Sequence, residues 1–401
     1  MDSLLDITHY QPAERPSPPF LKENRFRGRI GDPVKITASV DTGSNSLRFV
    51  AYTVVDGRLE EIKKSNLKAE PALGKGMEEE SGVLNPDAEP EALKFFFHCG
   101  QYIVNLEVDA GFVIGTSALR HASDSHIFIA HAQNAAAWGM AYAKNECTEE
   151  EAIRYITSNQ IHPNDSYRLE FTIVNKRQES ILTGLAALFS NPEANGTVLG
   201  IGGKSGHGCR IQNGLIVPGS FAELPIGHIW LRDHAKTGTA DEAYGVTLGY
   251  LEKHCHALKN PHGAIYPGGG AFRLALRLLA IRANRATIMT RYSNGITYEL
   301  RTNRIKEAFL EIGDPEYSKK LHDDAVQGLR PQELEIWEKD WHLKIGHRAE
   351  YIPQAVGALR AYADFSEADR MICYRDGIVE GIQVEAGYAK IRNGHSAYSM
   401  T

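Results

Sequence analysis

The sequence predicts an α/β protein of two lobes, each consisting of a mixed sheet flanked by helices. Length is the first reason, because 401 residues exceed what one hydrophobic core usually holds. The second is a repeated pattern. The apolar run 36–40 leads through a glycine-containing turn to a second run at 48–55, and the run 197–201 leads in the same way to one at 209–217. Two strand–turn–strand units in tandem predict two lobes built on one plan.

Apolar patterns of extended and helical period alternate along the rest of the chain. In the first lobe we predict a hairpin at Asp56-Gly57, a helix over 89–104, a strand over 111–115, a helix capped by Thr148 and Glu151, and a strand over 167–174. In the second lobe we predict helices over 178–189 and 272–281, a mostly helical segment over 330–365, and a strand over 371–374. Strands that alternate with helices are typical of α/β folds.

Composition divides the chain into four parts. We expect an N-terminal tail over 1–34, rich in proline and basic residues, the first lobe over 35–177, the second lobe over 178–385, and a C-terminal tail over 386–401. The first lobe carries an insertion at about 134–165. We expect this insertion to be a surface segment. A lid and a homodimer contact are the other roles open to it.

Charge and cysteine usage limit the class of protein. The net charge is −6, so no basic stripe for nucleic acid is expected, although an acidic surface can still contain a basic pocket for a phosphorylated ligand. The five cysteines are scattered and never form a CxxC pair, which favours a reducing compartment. Neither a signal peptide nor a membrane-spanning stretch is evident. We expect a cytoplasmic protein without membrane or nucleic-acid partners.

The turn after the first strand is a candidate phosphate loop. It reads Asp41-Thr-Gly43-Ser44-Asn45-Ser46, and a glycine turn at a strand end can direct several backbone N–H groups toward one anion. Asp41 would lie close to that anion, where it could orient a metal ion or a water molecule. A plain hairpin turn is the alternative. Asp-Thr-Gly also occurs in aspartic proteases, but they need two such carboxylates and the chain has no second motif.

Two further glycine clusters support the phosphate interpretation. One is Gly202-Gly203-Lys204-Ser205 after the repeated strand, and the other is Gly269-Gly270 at a predicted helix start, where backbone N–H groups also favour anions. Each could be an ordinary turn, but all three lie at strand or helix junctions. Together they predict a site for a chain of phosphates.

These motifs, in this order, resemble those of the exopolyphosphatase/guanosine-pentaphosphatase (Ppx/GppA) family over residues 35–385. The matching segments are Asp41–Arg48, Leu73-Gly-Lys-Gly76, Thr116-Ser-Ala-Leu-Arg120, Gln178-Glu179-Ser180, Gly202-Gly203 with Ser205, Gly269-Gly270 with Arg273, and Gly377-Ile-Val-Glu-Gly381. The chain is similar to the short form of the family, because the matched region is not followed by the extra helical domains of the longer exopolyphosphatases.

The resemblance implies a two-lobed actin-like (ribonuclease H-like) fold with the active site in the cleft between the lobes. It further implies Mg²⁺-dependent hydrolysis of the terminal phosphates of polyphosphate or guanosine pentaphosphate. By the same resemblance Glu179 would be the general base that activates water, and Arg120 would hold the phosphate. Taken alone, Glu179 would be an ordinary first-turn helix residue and Arg120 a partner in a surface salt bridge.

The sequence departs from the family pattern at functionally important positions. Gly200 stands where the second loop usually has an aspartate, His207 where it has a glutamate, and Lys204 where it has a glycine. Val379 replaces an arginine in the closing motif. Lys204 could supply positive charge to a phosphate and partly substitute for a metal ion. The retention of Asp41, Arg120 and Glu179 favours an enzyme. The alternatives are a phosphate- or nucleotide-binding regulatory protein and an actin-fold small-molecule kinase.

Overall fold

Contacts within the chain divide it into two units, each with its own sheet and its own apolar core. A computed structural model describes residues 20–29, 31–77, 82–164, 167, 169–203, 205–235, 238–259, 263–282, 288–292, 295–301, 312, 314–327, 351–374, 377–389 and 391. Of these, the N-terminal unit comprises the residues up to Asn175 together with 378–389. The C-terminal unit comprises Lys176–Gly377 and residue 391.

The sheet of the N-terminal unit is mixed. Its described strands are β1 (Asn24–Arg25), β2 (Ile36–Thr42), β3 (Leu47–Val55), β4 (Arg58–Glu61), β5 (Leu67–Ala69), β6 (Ala110–Gly115) and β7 (Phe171–Ile173). They lie in the order β1-β6-β2-β3-β4, with β5 beside β3 and β7 beside β6. β6 is buried along its whole length, as expected for a strand covered on both faces.

Helices cover this sheet and contribute apolar side chains to the core. They are α1 (Glu89–Asn105), α2 (Ser117–His121), α3 (Ser125–Ala143) and α4 (Glu149–Thr157). Phe96 of α1 packs edge-on against Phe128 of α3, and the α1–α3 contact is so close that a side chain at Gly100 would overlap the Ala136 carbonyl. The predicted capping box of α4 is confirmed, with reciprocal Thr148 and Glu151 hydrogen bonds of 3.2 and 2.9 Å.

The C-terminal unit repeats the arrangement of sheet and helices. Its described strands are β8 (Gly196–Ile201), β9 (Gly206–Gln212), β10 (Leu215–Ile216), β11 (Ala222–Leu224), β12 (Ala264–Gly268), β13 (Ile288–Tyr292), β14 (Gly295–Arg301) and β15 (Arg370–Cys373). They lie in the order β10-β9-β8-β12-β15-β14-β13, with β11 beside β9. The helices are α5 (Lys176–Ser190), α6 (His228–His234), α7 (Ala240–His254), α8 (Gly270–Arg282), α9 (Pro315–Gln327) and α10 (Ile352–Phe365).

The two units share one strand plan, as the sequence predicted. β2 pairs antiparallel with β3 and parallel with β6, while β8 pairs antiparallel with β9 and parallel with β12. In each unit a glycine loop therefore follows one of the two parallel strands, β2 or β8, at the edge where both parallel strands end. In open α/β sheets this edge is where ligands usually bind.

Two expected boundaries differ from the structure. Part of the expected tail is packed: β1 pairs with β6, and the Asn24 side-chain amide donates to the Gly111 carbonyl. Helix α11 (Ile378–Glu385), expected in the second lobe, belongs to the N-terminal unit, because Gln383 and Val379 form buried hydrogen bonds with Thr37 and Ser39 of β2. Of the C-terminal tail, Tyr388 is also packed, against the ring of Phe112. The segment 330–350 of the predicted helical stretch lies outside the described residues.

Within the part of the chain that the structure describes, no helix is both long and apolar enough to cross a membrane.

Candidate functional site

The first glycine loop is closed by a backbone hydrogen bond and supported by a neighbouring segment. The Gly43 N–H donates to the Ser46 carbonyl at 3.0 Å. The carbonyls of Ser44 and Asn45 accept from the Gly74 and Ala72 N–H groups at 2.8 and 3.2 Å, so the Leu73-Gly-Lys-Gly76 motif supports this loop. In a trans peptide the N–H points opposite to the carbonyl. The N–H groups of Asn45 and Ser46 therefore point away from the supporting segment, as a phosphate nest requires.

Asp41 lies at the end of β2 and is paired across the sheet with Arg48 of β3. The Arg48 guanidinium lies 3.6 Å from a carboxylate oxygen of Glu380, which is 5% exposed and accepts from the Tyr52 hydroxyl at 2.7 Å. Burial is the main cause that raises the pKa of Tyr52 well above its ordinary value, and the negative charge of Glu380 adds to it. The Tyr52 hydroxyl therefore remains a donor. The closing motif thus supports the strand that faces Asp41.

Arg120 lies at the same edge of the N-terminal sheet as the first loop. Its short helix α2 follows β6, which runs parallel beside β2 with Gly115 next to Thr42, and the Thr116 N–H donates to the Thr42 carbonyl at 3.1 Å. The Arg120 guanidinium donates to the Val174 carbonyl. The structure therefore brings Arg120, Asp41 and the first loop to one edge of one sheet.

The second glycine loop has the same closure as the first. The Gly202 N–H donates to the Ser205 carbonyl at 2.9 Å, and Gly203 is buried. Lys204, predicted to contact phosphate, lies outside the described residues. The equivalence of the two loops supports the tandem interpretation of the sequence.

The third cluster lies beside the second loop, since β12 runs parallel to β8 with Gly268 next to Gly200. Gly269 has a φ of 103°, and a Cβ there would lie 2.1 Å from the Ile201 carbonyl oxygen, so only glycine is compatible with this position. Gly270 then begins α8. The structure brings these glycines and the second loop to the carboxyl edge of one sheet.

Glu179 lies on α5 and is 4% exposed, although the sequence alone would leave it solvated. The ammonium of Lys176, itself 8% exposed, lies 3.4 Å from its Oε2. The same ammonium donates to the Ser205 hydroxyl of the second loop. Helix α5 therefore brings a buried carboxylate and a buried cation to the second loop.

Two of the three departures in the second loop, Gly200 and His207, are linked in the structure. A Cβ at Gly200 would lie 2.1 Å from Nε2 of His207, and the three nearest atoms all belong to the His207 ring. That nitrogen also contacts the Thr183 hydroxyl of α5 at 2.7 Å. The imidazole thus occupies the space into which a side chain at position 200 would extend.

This loop does not fit a magnesium ion. Magnesium prefers oxygen ligands, whereas Gly200 has no side chain and His207 presents nitrogen. The described residues contain no group of three or more His, Cys, Asp or Glu side chains placed to hold a metal. Asp41 of the N-terminal unit stays a predicted magnesium ligand.

Lys176 and Thr183 were not predicted from the sequence to lie at the site. Lys176 precedes the matched motif, and a lone lysine at a helix start usually lies on the surface. The available signal was spacing: Lys176, Glu179 and Thr183 recur at i, i+3 and i+7, which places them on one helical face. Val379 of the closing motif is buried against Val50 and Tyr52, so an apolar contact replaces the arginine of the resembled pattern.

Solved structures share this fold, although no family model and no curated protein matches the sequence. A Ppx/GppA family member from Aquifex aeolicus has a TM-score of 0.58 at 21% identity, over 91% of this chain and 100% of that one. An exopolyphosphatase from Cytophaga hutchinsonii has a TM-score of 0.57 at 15% identity, over 89% and 100%. The chain therefore has the two-lobed, actin-like α/β fold of the Ppx/GppA structures, as the sequence predicted.

Proposed function

We propose that the protein hydrolyses the terminal phosphoanhydride bond of polyphosphate or guanosine pentaphosphate. The observation that carries the proposal is the buried Glu179 carboxylate, bound to Lys176 beside the second glycine loop. A buried carboxylate with a specific charge partner is characteristic of catalytic sites. The Ppx/GppA fold and the ordered motifs support the same class of reaction.

In this reaction Glu179 accepts a proton from water while the water oxygen attacks the terminal phosphorus in line with the leaving oxygen. The new P–O bond forms as the bridging P–O bond breaks, and the products are orthophosphate and a chain one phosphate shorter. N–H groups of the two glycine loops stabilise the charge on the phosphate oxygens, which is the larger part of catalysis in phosphoryl transfer.

The shared sheet edge supports proposed roles for Arg120 and Asp41. We propose that Arg120, a planar fork of donors, binds a phosphate group of the substrate. Asp41 would hold magnesium, because this ion commonly binds through one or two carboxylates together with substrate phosphates. The ion would neutralise phosphate charge when bound.

The test is phosphate release from polyphosphate and from guanosine pentaphosphate, with magnesium and with EDTA. Glu179→Gln keeps the shape of the side chain but cannot accept the proton, and we expect its kcat to fall by about 10²–10⁴-fold. Glu150→Gln, at an exposed position on α4, is the matched control. Equal turnover by Glu179→Gln and wild type would refute the assignment of the base.

A binding protein without turnover is the second candidate, and the Gly200–His207 pair favours it, since a carboxylate of the resembled pattern has lost its space. In that case tripolyphosphate would bind with unchanged affinity to wild type and Glu179→Gln, and neither would release phosphate.

We place the protein in the cytoplasm, in agreement with its five free cysteines. A homodimer stays a prediction.

A further inference from the structure

One face of α5 is polar although the helix is buried. Lys176, Glu179 and Thr183 lie along this face, and each is at most 8% exposed. Buried positions of a helix normally carry apolar side chains, because polar groups lose their hydration there. This polar face thus needs an explanation beyond packing.

The polar face of α5 is attached to the β8–β9 hairpin at two points. The Lys176 ammonium donates to the Ser205 hydroxyl, and the Thr183 hydroxyl contacts Nε2 of His207. Ser205 and His207 are two residues apart, and side chains at that spacing along an extended chain point to the same side. Glu179 lies on the helix between the two attachment points.

The ion pair of Lys176 and Glu179 is an expensive way to hold the helix. Removing two charges from water costs more than their attraction usually returns, and apolar replacements of buried ion pairs are often neutral or stabilising. Stability alone therefore gives no reason for a buried lysine at this position. A role for the lysine charge at Glu179 and at the second loop does give a reason for it.

We propose that Lys176 is a positioning residue for the reaction. Its ammonium keeps the Glu179 carboxylate charged and oriented, and it fixes the Ser205 hydroxyl at the second loop. A cation within about 4–6 Å lowers the pKa of a carboxylate by about 1–3 and so favours its charged form. Only this charged form accepts a proton from water. This inference rests on the proposed hydrolysis, and it adds a residue for which the resembled motifs provide no counterpart.

The decisive experiment is the pH dependence of kcat for wild type, Lys176→Met and Lys176→Arg with tripolyphosphate as substrate. Loss of the cation should move the acidic limb of the profile to higher pH by about one unit or more, and kcat at neutral pH should fall about tenfold or more. Lys176→Arg retains the charge, so its acidic limb should stay near that of wild type. Its kcat should still fall, because a planar guanidinium cannot reproduce the ammonium geometry.

A lysine with a purely structural role predicts a different pattern. Lys176→Met would then lower the melting temperature and leave the acidic limb in place, which would overturn the proposal. If Lys176→Met does not fold, Lys176→Gln takes its place with the same expected shift. An acidic limb of Lys176→Arg that moves as far as that of the neutral variant would also overturn the proposal.

A second readout separates this inference from the proposed function. In protein labelled with ¹³C at the glutamate carboxyl groups, the resonance missing from Glu179→Gln identifies Glu179, and its titration needs no turnover. A wild type without phosphate release would refute the hydrolase while the titration still tests Lys176. If the Glu179 resonance titrates at the same pH in wild type and Lys176→Met, the inference is refuted even in an active enzyme.

Discussion

The close approach of His207 to Gly200 makes a sharp prediction about stability. A methyl group added at position 200 would place Cβ 2.1 Å from Nε2 of His207, whereas ordinary van der Waals contacts begin at 3.4 Å, a shortfall of 1.3 Å. The ring is 8% exposed and is bound to Thr183, so it cannot move aside without losing that contact. We therefore expect Gly200→Ala to destabilise the C-terminal unit by overpacking.

The magnitude follows from the size of that overlap. Inserting one methyl group into a closely packed interior costs about 1–3 kcal/mol. In a unit of this length each kcal/mol lost from the free energy of unfolding lowers the melting temperature by about 2–4 °C. Gly200→Ala should therefore melt about 2–12 °C below wild type. In a His207→Ala background the space is open, and the same change should cost almost nothing. The coupling between the two positions should thus approach the full cost of the overlap.

Thermal unfolding of wild type, both single variants and the double variant completes the cycle. Gly202→Ala is the matched control, because among the described residues its Cβ would meet the Ser205 carbonyl oxygen alone, at 3.3 Å. It should shift the melting temperature less than Gly200→Ala. Additive effects of Gly200→Ala and His207→Ala would refute the view that the imidazole occupies the space of a side chain at position 200.

Two further predictions concern other parts of the chain. Thr148→Ala removes the hydroxyl that accepts from the Glu151 N–H, so it should destabilise α4 by about 1 kcal/mol, measured as faster amide exchange in that helix, while Thr148→Ser should behave as wild type. Burial raises the pKa of Cys209 to about 12 and that of Cys255 to about 11, so below pH 9 iodoacetamide should label the half-buried Cys147 first. Labelling of native Cys209 as fast as Cys147, measured by mass spectrometry, would contradict that assignment.

Features set by neighbouring residues were predictable from the sequence. Asp56 and Gly57 both have positive φ angles, as their hairpin signal required, and the Thr148 capping box formed as its spacing indicated. Features set by distant residues were not predictable. β1 pairs with β6 far along the chain, since Asn24 lies opposite Gly111, 87 positions away. Helix α11 joins the N-terminal unit through Gln383 and Thr37, 346 positions apart.

The residues of the candidate site likewise divide into those set by neighbouring residues, which were predictable, and those set by distant residues, which were not. The glycine loops were visible in the sequence because each turn needs its own glycines, and Gly269 proved irreplaceable in its place beside Ile201. The burial of Lys176 was not visible, because it depends on Ser205, 29 positions away. A charged side chain is predicted at the surface until its partner is known.

Two departures of the second loop from the resembled pattern, Gly200 and His207, form one linked change. A carboxylate at position 200 needs the space of the His207 ring, and removing that ring leaves the Thr183 hydroxyl of α5 without its contact. Helix α5 also carries Glu179, the proposed base, so a change at position 200 affects Glu179 through this helix. Gly200→Asp alone should therefore impair the site, and an exchange back to the resembled pattern has to include His207. Lys176, whose ammonium contacts both Glu179 and Ser205, supplies positive charge to this loop without a metal ligand at position 200.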